Sequence, residues 1–124
     1  MPKKIDRIIY TKEYFSPVHL RIMRCWVYEA DSAGRIVESS YYDNQPEPES
    51  RREYSADPAR FDALCMELDA CIAAADREIQ FVDDCGAELE IFRDGAMEAY
   101  QRGHGTKSRT VGDIVEGYLQ RSRR

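Results

Sequence analysis

The stretch AELEIFRDGAMEAYQR, Ala87–Arg102, decides the fold. Asp94-Gly95 supplies the two residues that tolerate the positive backbone angles of a tight type I′ turn. Alternating residues flank it on both sides. With that turn, Leu89 and Ile91 share one face with Tyr100, while Phe92 and Met97 share the other. This predicts an antiparallel hairpin. Downstream, Thr110-Val111-Gly112-Asp113 resembles a capping box with Asp in the usual Glu place, so a helix is predicted over Val111–Gln120. Val111, Ile114, Val115, Tyr118 and Leu119 form its apolar stripe.

Upstream, Asp57-Pro58 is a helix start: the carboxylate caps free amides, and proline fits the first helical position. The helix predicted over Pro58–Arg77 gathers Phe61, Leu64, Cys65, Leu68, Cys71, Ile72 and Ala75 in one arc and leaves Met66 outside it. Before it, Lys4–Lys12 reads as a first strand. Pro17 interrupts, and His19–Ala30 follows as a central strand. Its two-residue period puts Leu20, Ile22, Trp26 and Tyr28 on one face, and Met23, Cys25 and Val27 on the other. Asp31–Gly34 turns the chain into a strand over Arg35–Tyr42. Asp43–Asp57 is polar, contains two prolines and reads as an exposed loop. Glu78–Asp83 reads as a short strand.

The predicted order is therefore β-ββ-α-β-ββ-α, in which each half is a hairpin followed by an amphipathic helix. Laying both apolar stripes on one face of a single antiparallel sheet of five to six strands gives an α+β two-layer sandwich. The chain has 124 residues, the size of a single domain spanning 1–124. Apolar residues make up 43% and charged residues 33%, which excludes collagen-like and wholly disordered chains. No apolar run approaches a membrane span, so no membrane partner is expected. The charged N-terminus has no apolar signal core, so a cytoplasmic location is expected.

The unit Ala87–Gly103, with the polar loop and TVGDIVEGYL (Thr110–Leu119) after it, resembles short bacterial proteins of unknown function with a strand-hairpin-helix pattern. Ile8-Ile9-Tyr10 and IAAADREI (Ile72–Ile79) are similar as well. The resemblance covers residues 79–119 and, more weakly, the first half. It rests on turn and core signals, and it implies no activity and no functional residues.

The net charge of −5 argues against a broad basic nucleic-acid face, but it is unevenly laid out. Residues 1–24 carry six bases against two acids, and residues 102–124 again six against two. Residues 55–101 carry three bases against twelve acids. Either the basic ends fold back on the acidic middle, or the two form separate surfaces that steer partners. The loop Arg102–Arg109 (RGHGTKSR) holds three bases, two glycines and no acid, and precedes a helix N-terminus. Free amides there favour anions, which makes Arg102, His104, Lys107, Ser108, Arg109 and Thr110 a candidate anion site. Its spacing is not that of a phosphate-binding P-loop.

The acidic stretch Asp83, Asp84, Glu88 and Glu90 matches no EF-hand loop, and no metal or cofactor is expected. Cys25, Cys65, Cys71 and Cys85 form no C-x-x-C pair and read as free thiols; neither His19 nor His104 has a sequence-local link to any of them. No catalytic signature is present, so no enzyme is expected. Tyr41, Tyr42 and the exposed Met66 are candidate interface residues, since aromatic residues and methionine are enriched at interfaces. These features favour a small non-enzymatic binding or regulatory protein acting through a protein–protein surface. An acidic antagonist of a basic partner, of the immunity-protein type, is one version, and a homo-oligomer is compatible with it. The alternative is a nucleic-acid or phosphate-ligand module using loop 102–109 and the basic C-terminus, Arg121–Arg124.

Overall fold

A computed structural model describes residues 3–42, 45–75 and 87–123. The elements in chain order are β1 (Arg7–Ser16), β2 (Arg21–Asp31), β3 (Arg35–Tyr42), β4 (Ser50–Ser55), α1 (Pro58–Ala73), β5 (Ala87–Arg93), β6 (Ala96–Gln101) and α2 (Val111–Ser122). All six strands form one sheet in the order β4-β3-β2-β1-β5-β6, and every neighbouring pair is antiparallel. The fold is thus the expected α+β sandwich. The core is one cluster contributed by the helices and one sheet face: Ile8, Tyr10, Ala30, Ile36, Leu89 and Ile91 lie under Phe61, Leu64, Leu68, Val111, Val115 and Tyr118. Register places the sheet residues on one face, because Ile8 pairs with both Ala30 and Ile91 and Tyr10 with both Tyr28 and Leu89. The Phe61 and Tyr118 rings meet in a T-shaped arrangement at 6.4 Å between centroids, which joins the two helices.

The local signals act as read. Asp94 and Gly95 take φ of 49° and 83°, the angles of the predicted turn. Asp57 caps the Ala59 amide, and Thr110 and Asp113 form a reciprocal capping box. All five stripe residues of α2 are buried. On α1, Phe61, Leu64, Cys65, Leu68 and Cys71 are buried and Met66 is exposed. Helix α1 ends at Ala73, where the Ala75 amide donates to the Ile72 carbonyl and tightens the last turn. Ala74 and Ala75, predicted as helical, lie beyond its end, while residues 76–77 and the strand predicted over Glu78–Asp83 lie outside the described residues.

Three expectations change. Residues 43–57 are not all loop, since Ser50–Ser55 forms edge strand β4 on β3. Strand β1 is displaced toward the C-terminus and runs to Ser16, because its end pairs with β2 rather than with β5. The two-residue period does not run unbroken through β2. A bulge opposite Tyr14 and Phe15 inserts one residue, so Ile22 pairs with Phe15 while Trp26 and Tyr28 pair with Lys12 and Tyr10. In consequence the first half carries four strands before its helix, not a strand and a bare hairpin.

Candidate binding surfaces

The register of the central strands leaves part of them without neighbours. β1 pairs with β5 from Arg7 to Lys12 only, and β2 pairs with β3 from Arg24 to Ala30 only. Residues 13–23 therefore form a two-stranded arm that extends past the rest of the sheet. Its tip is apolar. Tyr14 is 54% exposed, Phe15 50%, Val18 84% and Leu20 77%. The turn is nonetheless built: the Leu20 amide donates to the Ser16 carbonyl at 2.8 Å, and the His19 amide to the Ser16 hydroxyl at 3.2 Å. Ser16 itself is buried. Leu20 sits at φ 54°, a left-handed conformation that glycine or asparagine adopts with least strain. The arm thus holds an exposed leucine where a small polar residue would be more stable.

The loop 102–109 is ordered by its surroundings. Gly105 bridges to Thr110, and the Cys71 thiol of α1 donates to the Arg109 carbonyl at 3.6 Å. The His104 ring lies 4.9 Å from Tyr100. The α2 amides it faces are engaged: Val111 donates to the His104 carbonyl, Gly112 to the Arg102 carbonyl, and Asp113 to the Thr110 hydroxyl. The Thr110 amide donates to Asp113. Arg102 pairs with Glu116 at 3.1 Å and Arg109 with Glu67 at 3.3 Å. The Ser108 hydroxyl lies 3.3 Å from that of Thr106, and Lys107 is exposed. The six candidate residues are therefore near one another, but most of their donors already have protein acceptors.

The interface candidates do not converge. Tyr42 pairs with Arg24 and Tyr41 with Cys25, so they face opposite sides of the sheet, while Met66 is on the solvent side of α1. Glu88 and Glu90 lie on β5, and Asp83 and Asp84 fall outside the described residues. Among the described residues no group of His, Cys, Asp and Glu is arranged to hold a metal ion. Cys25, Cys65 and Cys71 are free thiols, whereas Cys85 is outside the described residues. Burial, reinforced by Asp62 and Asp69, pushes the Cys65 thiol up from the usual 9.0 to about 12, so it stays protonated at neutral pH.

The charge segregation is resolved by contact. Lys3 pairs with Asp94, Lys4 with Asp62, Arg109 with Glu67 and Arg123 with Glu38. The basic ends thus fold back onto acids of the middle. Arg93 is a further anchor, its side chain 8% exposed: it meets Asp69 at 2.6 Å, Glu98 at 3.3 Å and the Lys3 carbonyl at 2.7 Å. No helix among the described residues is long and apolar enough to cross a membrane.

Sequence reading passed over the arm. Its signal was the run YFSPVHL, Tyr14–Leu20, where four large apolar or aromatic side chains crowd a turn around Ser16-Pro17 that holds no Gly, Asn or Asp. No protein-family model matches the chain, and no curated protein matches it significantly.

Proposed function

We propose that the protein is a small non-enzymatic binding or regulatory protein that acts through a protein–protein surface, and that the β1–β2 arm is the contact. The observation that carries this reading is the exposed apolar tip formed by Tyr14, Phe15, Val18 and Leu20, with Leu20 in a left-handed conformation. Stability does not account for it, because neither the exposure nor the backbone angle of Leu20 favours the folded chain. Insertion into an apolar pocket of a partner accounts for both, since fully burying a Val, Leu or Phe side chain contributes about 1.5–3 kcal/mol. His19 and Arg21 give the tip a polar rim.

The acidic-antagonist version of this function would draw on residues 43–101. Asp62, Glu67, Asp69, Asp94 and Glu98 there are already paired with cations of this chain, which is why the apolar arm, and not an acidic face, is the proposed contact. The test is comparative capture from the native host extract, using the wild type and a Phe15→Ser, Val18→Ser, Leu20→Asn variant. A protein retained by the wild type and lost by the variant supports the reading. Identical captured sets from both remove it.

A further inference from the structure

Helix α2 ends at Ser122, and Arg123 beyond it reaches over the sheet: its Nε and Nη2 donate to Glu38 Oε1 at 2.8 and 2.6 Å, and its guanidinium lies 5.8 Å from the Tyr28 ring. On this same sheet face, the next cross-strand row is Lys12, Trp26, Ser40 and Ser50. A tryptophan beside two serines makes a step in the surface. The two serine hydroxyls bond to each other at 2.7 Å and form a small, polar floor. The result is a groove of about 350 Å³, floored by Trp26, Ser40 and Ser50 and walled by Arg24 on one side and Arg52 and Arg123 on the other.

Three arginines around one groove are each held near an aromatic ring. Arg24 lies 5.4 Å from Trp26 and 5.9 Å from Tyr42, and Arg52 lies 6.0 Å from Tyr54. Such contacts restrain the guanidinium planes in advance of any ligand. Their charges are not all neutralised. Arg123 is taken by Glu38, and Arg24 Nη2 meets Glu49 at 3.2 Å. Arg52 makes no ion pair among the described residues, and the buried Nε–H of Arg24 has no acceptor among them.

We propose that this groove binds a nucleotide. The ring lies on the serine floor against Trp26, and the phosphate is held by Arg52. Stacking on an aromatic side chain beside arginine is the chemistry by which unpaired bases are bound. A planar ring without charge would leave Arg52 unused, and a bare anion would leave Trp26 unused. A free nucleotide and a nucleotide within a single strand share this chemistry. The site is separate from the tip of the β1–β2 arm, so the two proposals stand or fall independently.

Trp26 is the only tryptophan, and its fluorescence therefore reports on the groove alone. The full chain is titrated at low salt with adenosine monophosphate, with a short single-stranded oligoadenylate and with inorganic phosphate. Saturable quenching by the monophosphate is expected, with phosphate alone far weaker. Arg52→Gln, at an exposed position, should keep the wild-type far-ultraviolet circular dichroism and weaken binding about tenfold, the loss of one charge-assisted contact. Equal affinity for monophosphate and oligoadenylate identifies the free nucleotide as the ligand, and tighter oligoadenylate binding identifies the strand. The proposal is overturned if neither nucleotide changes the fluorescence, if phosphate binds as tightly as the monophosphate, or if Arg52→Gln binds as the wild type does.

Discussion

Leu20→Asn should make the protein more stable and less able to bind. Leu20 holds φ 54° and is 77% exposed. The left-handed conformation costs a β-carbon-bearing residue about 1–2 kcal/mol, and asparagine carries less of that cost. With three-quarters of the leucine in solvent, little burial is lost in exchange. The turn bonds from the Leu20 and His19 amides to Ser16 involve backbone donors, so they survive the substitution. The net gain expected is about 1 kcal/mol, or about 3–5 °C in Tm for a chain of this size. Thermal melting by circular dichroism measures it, and urea unfolding with an unchanged slope confirms that stability moved and not the compactness of the unfolded chain. Val18→Ser is the companion: at 84% exposure it should shift stability by no more than about 0.5 kcal/mol. If Leu20→Asn melts at or below the wild-type temperature, the leucine serves the fold, and the argument that the arm is shaped for a partner fails.

Leu68→Asp places a carboxylate at a fully buried position in the centre of the α1 face and should cost about 3–5 kcal/mol, read as a collapse of the melting transition. An unchanged midpoint would contradict the core described above. Cys65 should resist thiol reagents in the native state and react on unfolding. Its thiol is held up at about 12 when folded against 9.0 when free, so between pH 9 and 12 the unfolded chain loses the proton first and stability falls as pH rises. Tyr54, held at about 12 by burial and by Glu38, adds to the same loss above pH 10, and a melting temperature flat from pH 8 to pH 11 would contradict both. Lys107→Ala with Arg109→Ala removes the exposed loop cation and the Arg109–Glu67 pair, at less than about 1 kcal/mol of stability. Any phosphate binding by loop 102–109 should vanish with it, and phosphate binding that survives belongs elsewhere.

What the sequence made legible was chemistry acting within a few residues. The Asp94-Gly95 turn, the Asp57 and Thr110 caps and the apolar stripes of both helices need no distant partner to be recognised. Strand β4 does. SRREYS carries charged side chains and is defined by its backbone pairing to β3, from Arg35 opposite Ser55 to Ser40 opposite Ser50. Short charged edge strands of this kind protect a sheet from further pairing, and the same charges disguise them as loop. The bulge in β2 is equally silent, because one added residue changes the faces of its neighbours without changing composition. The basic loop shows the same limit in its site chemistry. Its cations were visible, but their acceptors, Glu67 and Glu116, and the Cys71 thiol beneath it come from the helices. The groove at Trp26 was out of reach for that reason too: Arg24, Arg52 and Arg123 belong to β2, β4 and the chain end, and only the assembled sheet brings them together.

Site-specific cross-linking from the arm separates a partner contact from a bare exposed tip. A photoactivatable residue in place of Val18, the most exposed apolar side chain of the tip, is irradiated in the native host, and cross-linked peptides are mapped by mass spectrometry. One dominant product is expected, joining position 18 to apolar residues of a protein partner and absent when Phe15→Ser and Leu20→Asn are added. An arm that yields no protein adduct, or adducts that persist unchanged in that variant, would contradict the partner contact.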